Sequence, residues 1–142
     1  MTNRLLIALP AGLLALATAS AAQAAPACPA TNFSGFVTAF AEAPAVQRAF
    51  TADPLMNEHI DPAAEPEPAT VAEMLAGNSR AFPVMPDAAA QKRQGLQQKI
   101  SADANGDEVV TLARPDSDAQ IRYIFRKAGA CWQLYRRADD SL

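Results

Sequence analysis

His59 is the only histidine of this chain and the residue whose type best suits acid–base chemistry near neutral pH. Glu58 precedes it and Asp61 follows two positions later, so a carboxylate is available to orient His59 as a general base. No nucleophile motif accompanies it, and a proline-rich segment begins directly afterwards. The pattern favours an exposed polar residue at the end of a strand and leaves catalysis by His59 as the alternative.

Two groups of polar residues have the composition of a metal site without its spacing. Glu58, His59 and Asp61 do not follow a spacing by which ligands converge on one ion. Residues 103–107, Asp-Ala-Asn-Gly-Asp, are similar to a calcium-binding loop but lack an early oxygen ligand and the closing bidentate glutamate. Turn chemistry accounts for these residues, so the sequence predicts neither a metal nor a cofactor.

Three arginines near the C-terminus form the candidate binding surface. Arg122 and Arg126 share one face of a predicted strand, and Arg136 lies in the next strand. If the two strands pair so that the three arginines lie side by side, the arginines would form a stripe able to hold a carboxylate or phosphate of a ligand or partner. The alternative is a solvated face that nearby carboxylates neutralise. Those carboxylates would be Asp116, Asp118 and Asp139.

The first 24 residues have the order of an alanine-rich, bacterial secretory signal peptide. Arg4 precedes an apolar run, and Ala22-Gln23-Ala24 supplies the small residues of a cleavage site. Pro10 and Gly12 interrupt the run and no stop-transfer charges follow, so no membrane span is predicted after processing. We expect cleavage after Ala24 and a mature protein that is periplasmic or secreted.

Cys28 and Cys131 are the two cysteines of the chain. In an oxidising compartment one disulfide bond is their simplest use, and the absence of Cys-x-x-Cys spacing argues against a redox role. Two alternatives stay open, namely two free buried thiols, or Cys28 acylated as the first residue of a lipoprotein. An inward-facing bond also conflicts with strand alternation, because Cys131 adjoins Trp132, which is predicted to point inward.

The length and charge of the mature segment limit its class. Removing 24 of 142 residues leaves 118, which favours a single domain over residues 25–142. Fifteen acidic and eleven basic residues give this segment a net charge of −4. Nucleic acid is excluded as the main partner, because phosphate binding needs a dominant positive field. The composition leaves the oligomeric state open.

The apolar spacing predicts mainly helices in the first part of the mature segment. Asn32 is predicted to cap a helix over 33–41, and Pro44 to begin a second one. The apolar stripe of the first helix comprises Phe33, Phe36, Val37 and Phe40. After these we expect a strand over 55–60, a loop over 61–68, a capped helix from Thr70 to Gly77, a strand over 82–85 and a helix from Asp87 to Gln94.

The last third predicts a meander of four antiparallel strands. The strands cover 96–104, 107–113, 119–127 and 131–137. Asn105-Gly106 predicts a type I′ turn between the first two. The sum is an α+β fold in which N-terminal helices pack on a curved antiparallel sheet of about four strands. We expect Phe36 and Phe40 to cover the aromatic side chains of the meander.

Several aromatic and proline motifs add a resemblance to known proteins. They are Phe33-x-x-Phe36-x-x-x-Phe40, Pro44-Ala45-Val46-Gln47-Arg48, Phe82-Pro83-Val84-Met85-Pro86, and the tail Tyr123-x-Phe125 with Cys131-Trp132-x-Leu134 and Asp140-Ser141-Leu142. With this order of elements the chain resembles exported bacterial proteins of unknown function, which are similar to the cystatin-like, nuclear transport factor 2-like superfamily. The resemblance implies a cone-shaped pocket. Some members are isomerases or dehydratases with an Asp or His in the cone, whereas others only bind a ligand or protein.

The sequence as a whole favours a non-enzymatic domain that binds a small ligand or an envelope protein through a sheet concavity or the arginine-bearing face. The alternative is a small isomerase, dehydratase or hydrolase that uses His59 or a nearby carboxylate in the pocket. A third class, an inhibitor or immunity partner of an exported enzyme, agrees with the size and location. A buried titratable residue with a shifted pKa in the pocket would favour the enzyme.

Overall fold

A computed structural model describes residues 25–142, and the predicted signal peptide lies outside them. Within this range the chain forms three α-helices and six β-strands. The helices are α1 (Phe33–Glu42), α2 (Pro44–Phe50) and α3 (Ala88–Arg93). The strands are β1 (Thr51–Asp61), β2 (Ala69–Leu75), β3 (Gln97–Ala102), β4 (Glu108–Ala113), β5 (Gln120–Ala128) and β6 (Cys131–Asp139).

The six strands join in one sheet in the order β2-β1-β6-β5-β4-β3. Strands β3 to β6 form the predicted antiparallel meander. The sheet is wider than the predicted four strands, because β1 pairs in parallel with β6 and β2 pairs with β1 on its other side. Pairing between the first and last strands leaves no local pattern in a sequence, so strand periodicity alone does not reveal it.

The segment that begins at Thr70 is a strand, and the predicted helix there is wrong. Residues 69–75 pair with β1 along the whole of β2. Thr70 and Glu73 have the spacing of a capping box, but a cap contributes only about 1 kcal/mol to a helix. Backbone and side-chain pairing along a full strand outweighs that local preference.

Residues 82–85, predicted as a strand, belong to a loop over 80–87 that we call the roof loop. Its prolines have no amide hydrogen to give to a neighbouring strand. The amides of Val84 and Met85 instead donate to the side chain of Gln47 in α2, at 2.6 and 3.0 Å. The loop therefore lies against α2 and takes no part in the sheet.

The aromatic stripe of α1 packs on the meander, which confirms the predicted core. The ring centroids of Phe40 and Phe125 are 5.2 Å apart, and those of Phe36 and Trp132 are 5.5 Å apart. Phe36 and Phe40 are both fully buried, and such burial contributes roughly 1.5–3 kcal/mol for each side chain. We call the sheet face covered by α1 the inner face, and the opposite one the outer face.

The β3–β4 hairpin turns at Asn105-Gly106, but the predicted type I′ geometry is wrong. Gly106 has a φ of 82°, whereas Asn105 is not among the positive-φ residues, and a type I′ turn requires both. The Asp103 carboxylate accepts hydrogen bonds from the amides of Asn105 and Asp107 at 2.8 and 3.0 Å. This side-chain bonding favours a turn with one positive-φ position.

The predicted disulfide joins Cys28 to Cys131, with their Cα atoms 5.4 Å apart. Cys131 is the first residue of β6, so the bond lies at the rim of the sheet and does not need to face inward. The conflict with strand alternation is thereby removed. A free or acylated Cys28 is incompatible with this bond, which ties the segment before α1 to the sheet.

A β-bulge in β6 changes which of its side chains face the helices. The pairing with β5 shifts by one residue around Tyr135. One extra residue in a strand reverses the facing of the side chains beyond it. Arg136 pairs with Ile124 and lies on the outer face, whereas Arg137 pairs with the buried Tyr123 and lies on the inner face.

Candidate functional site

The structure brings the three predicted arginines to the outer face, where each is bonded within the chain. Arg122 donates to a carboxylate through Nε and Nη2 at 2.5 and 2.9 Å, and Arg136 does the same at 2.9 and 2.7 Å. Arg126 donates to an amide oxygen at 3.1 and 2.7 Å. The partners are Asp140 for Arg122, Glu58 for Arg136 and Gln133 for Arg126. Two of the three positive charges are therefore neutralised, by carboxylates other than those expected.

The ion pair between Arg122 and Asp140 shifts the pKa values of both groups. The hydrogen bond from Arg122 lowers the pKa of Asp140, and burial opposes this effect. The same hydrogen bond raises the pKa of the Arg122 guanidinium. Because both shifts favour the charged forms, the pair stays ionic at neutral pH and leaves little positive charge for an incoming anion.

His59 lies exposed in β1, opposite Val71 of β2 and Asp139 of β6. It lines neither of the two inner-face cavities described below. Across residues 25–142, no group of three or more His, Cys, Asp or Glu side chains is placed to hold a metal ion. The surroundings of His59 are therefore solvent rather than an enclosed pocket.

A fourth arginine, Arg137, is held on the inner face by a series of hydrogen bonds. Its Nη1 donates to Oδ1 of Asn57 at 3.0 Å, and its Nη2 donates to Oδ2 of Asp139 at 3.2 Å. Nδ2 of Asn57 donates to Glu73 at 2.9 Å, which orients the amide. The Arg137 side chain is 22% exposed, so its guanidinium is a positioned and partly desolvated charge.

Two cavities flank Arg137 between the sheet and the roof loop. The larger, about 370 Å³, extends towards Tyr123 and α3, and the smaller, about 250 Å³, extends towards β1 and β2. Arg137 and Pro83 line both. The apolar walls are Leu96, Leu112 and Ile121 in the larger cavity and Leu55, Leu75 and Val84 in the smaller one. We call the two cavities together the inner-face pocket.

The titratable groups of the larger cavity other than Arg137 are Tyr123 and Asp87. Burial raises the pKa of Tyr123, and the positive charge of Arg137 and a hydrogen bond from its guanidinium oppose part of that effect. The phenol therefore stays protonated at neutral pH and can donate a hydrogen bond. Asp87 accepts the amide of Ala90 at 2.6 Å as the N-cap of α3. Neither group is arranged as a general base.

The roof loop is fixed over the pocket by two glutamine side chains. Gln47 is fully buried, accepts the amides of Val84 and Met85, and donates to the Met85 carbonyl at 2.8 Å. Gln91 of α3 donates to the Pro86 carbonyl at 2.8 Å. Because leaving buried backbone groups without partners is costly, these bonds hold the loop as a wall of the pocket.

A third cavity, about 420 Å³, opens at the rim of the sheet beside the disulfide. Its lining includes Phe50, Trp132 and several small residues, but no charged side chain. Apolar surface alone gives a ligand little orientation, since specificity comes from a few well-placed polar groups. We therefore place the candidate site at the inner-face pocket.

Sequence reasoning missed Arg137 and the two glutamines of the roof loop. The bulge at Tyr135 cannot be inferred from strand alternation, so the sequence did not indicate which arginine faces inward. A usable signal was the doublet Arg136-Arg137, because two consecutive residues of a strand point to opposite faces. One of the two must therefore face the helices in any regular register.

Comparison with known proteins supports the fold and gives no activity. No protein-family model matches the chain, and no curated protein matches it in sequence. Its structure is similar to the crystal structure of a nuclear transport factor 2-like protein from Bacteroides fragilis, with a TM-score of 0.54 and 20% sequence identity. The match covers 78% of this chain and 47% of that one, so the chain spans about half the length of that protein.

The part of the chain that the structure describes contains no helix long and apolar enough to cross a membrane. Three helices cover the inner face of one curved sheet, and the predicted meander forms four of its six strands. Together with the structural match, this arrangement shows that the chain has a nuclear transport factor 2-like α+β fold.

Proposed function

We propose that this protein is an exported, non-enzymatic domain that binds a small ligand in the inner-face pocket. The observation that carries the proposal is that two cavities share one fixed guanidinium, Arg137, and one roof-loop residue, Pro83. Small-molecule sites are typically concave and mostly apolar, with a few polar groups that set the orientation of the ligand. The inner-face pocket has these features.

The outer face is less suited to small-ligand binding than the inner-face pocket. Arg122 and Arg136 already hold carboxylates of the same chain at hydrogen-bond distance. A ligand anion would have to compete with those intramolecular partners, which are present at a fixed short distance. Binding of an envelope protein by the outer arginines stays a prediction.

Binding is favoured over catalysis by the groups that line the pocket. The enzymatic alternative assigns the general base to His59, which lies exposed and outside both inner-face cavities. Tyr123 has a raised pKa, so its phenol stays protonated at neutral pH and cannot accept a proton as a general base. Asp87 is engaged as a helix cap. The lining therefore supports recognition of a ligand more than proton transfer.

Two observations support the proposed location outside the cytoplasm. The first 24 residues have the pattern of a secretory signal peptide. Cys28 and Cys131 form a disulfide, and such bonds persist mainly in oxidising compartments. Both agree with a periplasmic or secreted protein.

The proposal is tested by filling the larger cavity. Ala90 of α3 lines this cavity, whereas its neighbour Ala89 is exposed. We expect native mass spectrometry of the protein purified from its own host to show a small-molecule adduct. Ala90→Phe should lose the adduct because the new ring occupies the ligand volume. Ala89→Phe, the matched control, should retain it.

Near-ultraviolet circular dichroism first checks that the variants are folded, so that loss of the adduct reports on the binding site. Retention of the adduct by Ala90→Phe, or absence of any adduct from the wild type, would contradict the proposal. If replacing Arg122 and Arg126 by Ala removes the adduct while Ala90→Phe retains it, the binding site lies on the outer face.

A further inference from the structure

The four arginines of β5 and β6 differ in how their guanidinium edges are used. Those on the outer face each direct Nε and Nη2 together at one side-chain oxygen group. Arg137 uses Nη1 for Asn57 and Nη2 for Asp139, and its guanidinium also lies within hydrogen-bonding reach of the Tyr123 hydroxyl. Within residues 25–142 its Nε forms no hydrogen bond with a carboxylate or an amide oxygen. Of the four arginines, Arg137 is therefore the one whose Nε and Nη2 do not hold a single oxygen group of the protein, and its Nη2 keeps a second hydrogen besides the one given to Asp139. We call this Nε–Nη2 side of Arg137 its open edge.

The open edge of Arg137 is accessible from the inner-face pocket. Among the described residues, Oγ1 of Thr51 is the only solvent-inaccessible side-chain nitrogen or oxygen atom that lacks a hydrogen-bond partner. Nε of Arg137 is therefore accessible to solvent. Arg137 lines both cavities, and hydrogen bonds to Asn57 and Asp139 fix the position of its guanidinium. A group held in place before binding loses little conformational entropy when a ligand arrives.

From this open edge we infer that the ligand is an apolar monocarboxylic acid whose carboxylate binds Nε and Nη2 of Arg137. This inference rests on the proposed function and specifies its ligand class. The carboxylate would lie where the two cavities meet, with the hydrocarbon part against their apolar walls. The hydroxyl group of Tyr123, which also lines the larger cavity, is available as a further donor.

The charges around the pocket favour a single negative charge over a phosphate dianion. Asp139 already balances part of the Arg137 charge through one contact at 3.2 Å. Asp87, on the α3 side of the larger cavity, adds a second negative charge. Both carboxylates repel an incoming anion, and this repulsion is about twice as large for a dianion as for a monocarboxylate, so a single negative charge is the more favourable one.

The test compares three probes of equal chain length: octanoate, 1-octanol and octylamine. Binding is measured by isothermal titration calorimetry on the disulfide-bonded protein freed of adduct. We expect octanoate to bind about ten- to a hundredfold more tightly than 1-octanol, the ratio expected of a charge-assisted hydrogen-bonded pair. Octylamine should bind most weakly. Arg137→Gln should remove the preference for octanoate.

Arg93→Gln is the matched control, because Arg93 is an exposed residue of α3 that lines neither cavity and its replacement removes the same charge. It should keep the preference for octanoate. Equal binding of octanoate by wild type and Arg137→Gln, a preference for octylamine, or no binding of octanoate would each overturn the inference. Binding of 1-octanol that Ala90→Phe abolishes, without a carboxylate preference, would overturn it while the proposed binding function stands.

Discussion

Gln47 is the residue whose replacement tests the construction of the pocket most directly. Gln47→Met keeps the length of the side chain and removes its amide. The amides of Val84 and Met85 and the carbonyl of Met85 then lose partners that now lie at 2.6 to 3.0 Å. Each lost partner costs roughly 1–3 kcal/mol, and removal of the buried amide itself offsets part of the total. We expect the free energy of unfolding to fall by about 3 kcal/mol.

Urea unfolding followed by far-ultraviolet circular dichroism measures this loss, with the disulfide kept intact. In thermal unfolding of a domain of this size, the expected decrease in Tm is about 4 °C for each kcal/mol of stability lost, or about 12 °C in total. The m-value should not change, because the surface exposed on unfolding is the same. Gln98→Met is the control, since Gln98 is an exposed residue of β3, and it should change stability by less than about 0.5 kcal/mol.

A loss below about 1 kcal/mol for Gln47→Met would refute the reasoning, because it would mean that water or another group replaces the lost partners at little cost. The roof loop would then be a separate, weakly attached segment. If the loss is large, Gln47→Met should also weaken capture of the pocket ligand, since the roof loop forms one wall of both cavities.

Two further predictions concern the disulfide and the outer face. Replacing Cys28 and Cys131 by Ser should lower the free energy of unfolding by about 4.7 kcal/mol in the chain-entropy model for a loop of about 100 residues; two thiols that react freely in the native wild type would contradict this. The second prediction concerns Asp140, whose pKa is lowered in the folded protein by its hydrogen bond with Arg122. Its contribution to stability is present above its ordinary pKa of 3.8 and is lost as the pH falls through the pKa of the folded state. The difference in unfolding free energy between wild type and Asp140→Asn should therefore be larger at neutral pH than in acid, and a difference that does not change with pH would exclude the Arg122 pair as its cause.

The spacing of apolar residues predicted those helices and strands whose conformation depends mainly on their own sequence. The stripe of α1 has apolar side chains at helical spacing, and Tyr123 and Phe125 of β5 stand two residues apart, so each element indicates the face that packs against the other. The cap of α3 at Asp87 is also local, because its side chain bonds an amide three residues later. These features require no knowledge of the rest of the chain.

The parts that the sequence did not predict depend on distant pairing. β2 is a strand because it pairs with β1. Its own residues, by contrast, have a helix-capping pattern that begins at Thr70. The inward position of Arg137 depends on the bulge at Tyr135, and a shift of one residue exchanges Arg136 and Arg137 between the two faces. The candidate site therefore stayed hidden although both arginines stand side by side in the sequence.

The position of β6 has a consequence for the order in which this protein folds. β6 is the last strand of the chain, yet it lies in the interior of the sheet between β1 and β5. Neither neighbour can complete its pairing before β6 has left the ribosome, and contacts of such long sequence separation form slowly. The nascent chain therefore lacks a finished sheet until β6 has been synthesised.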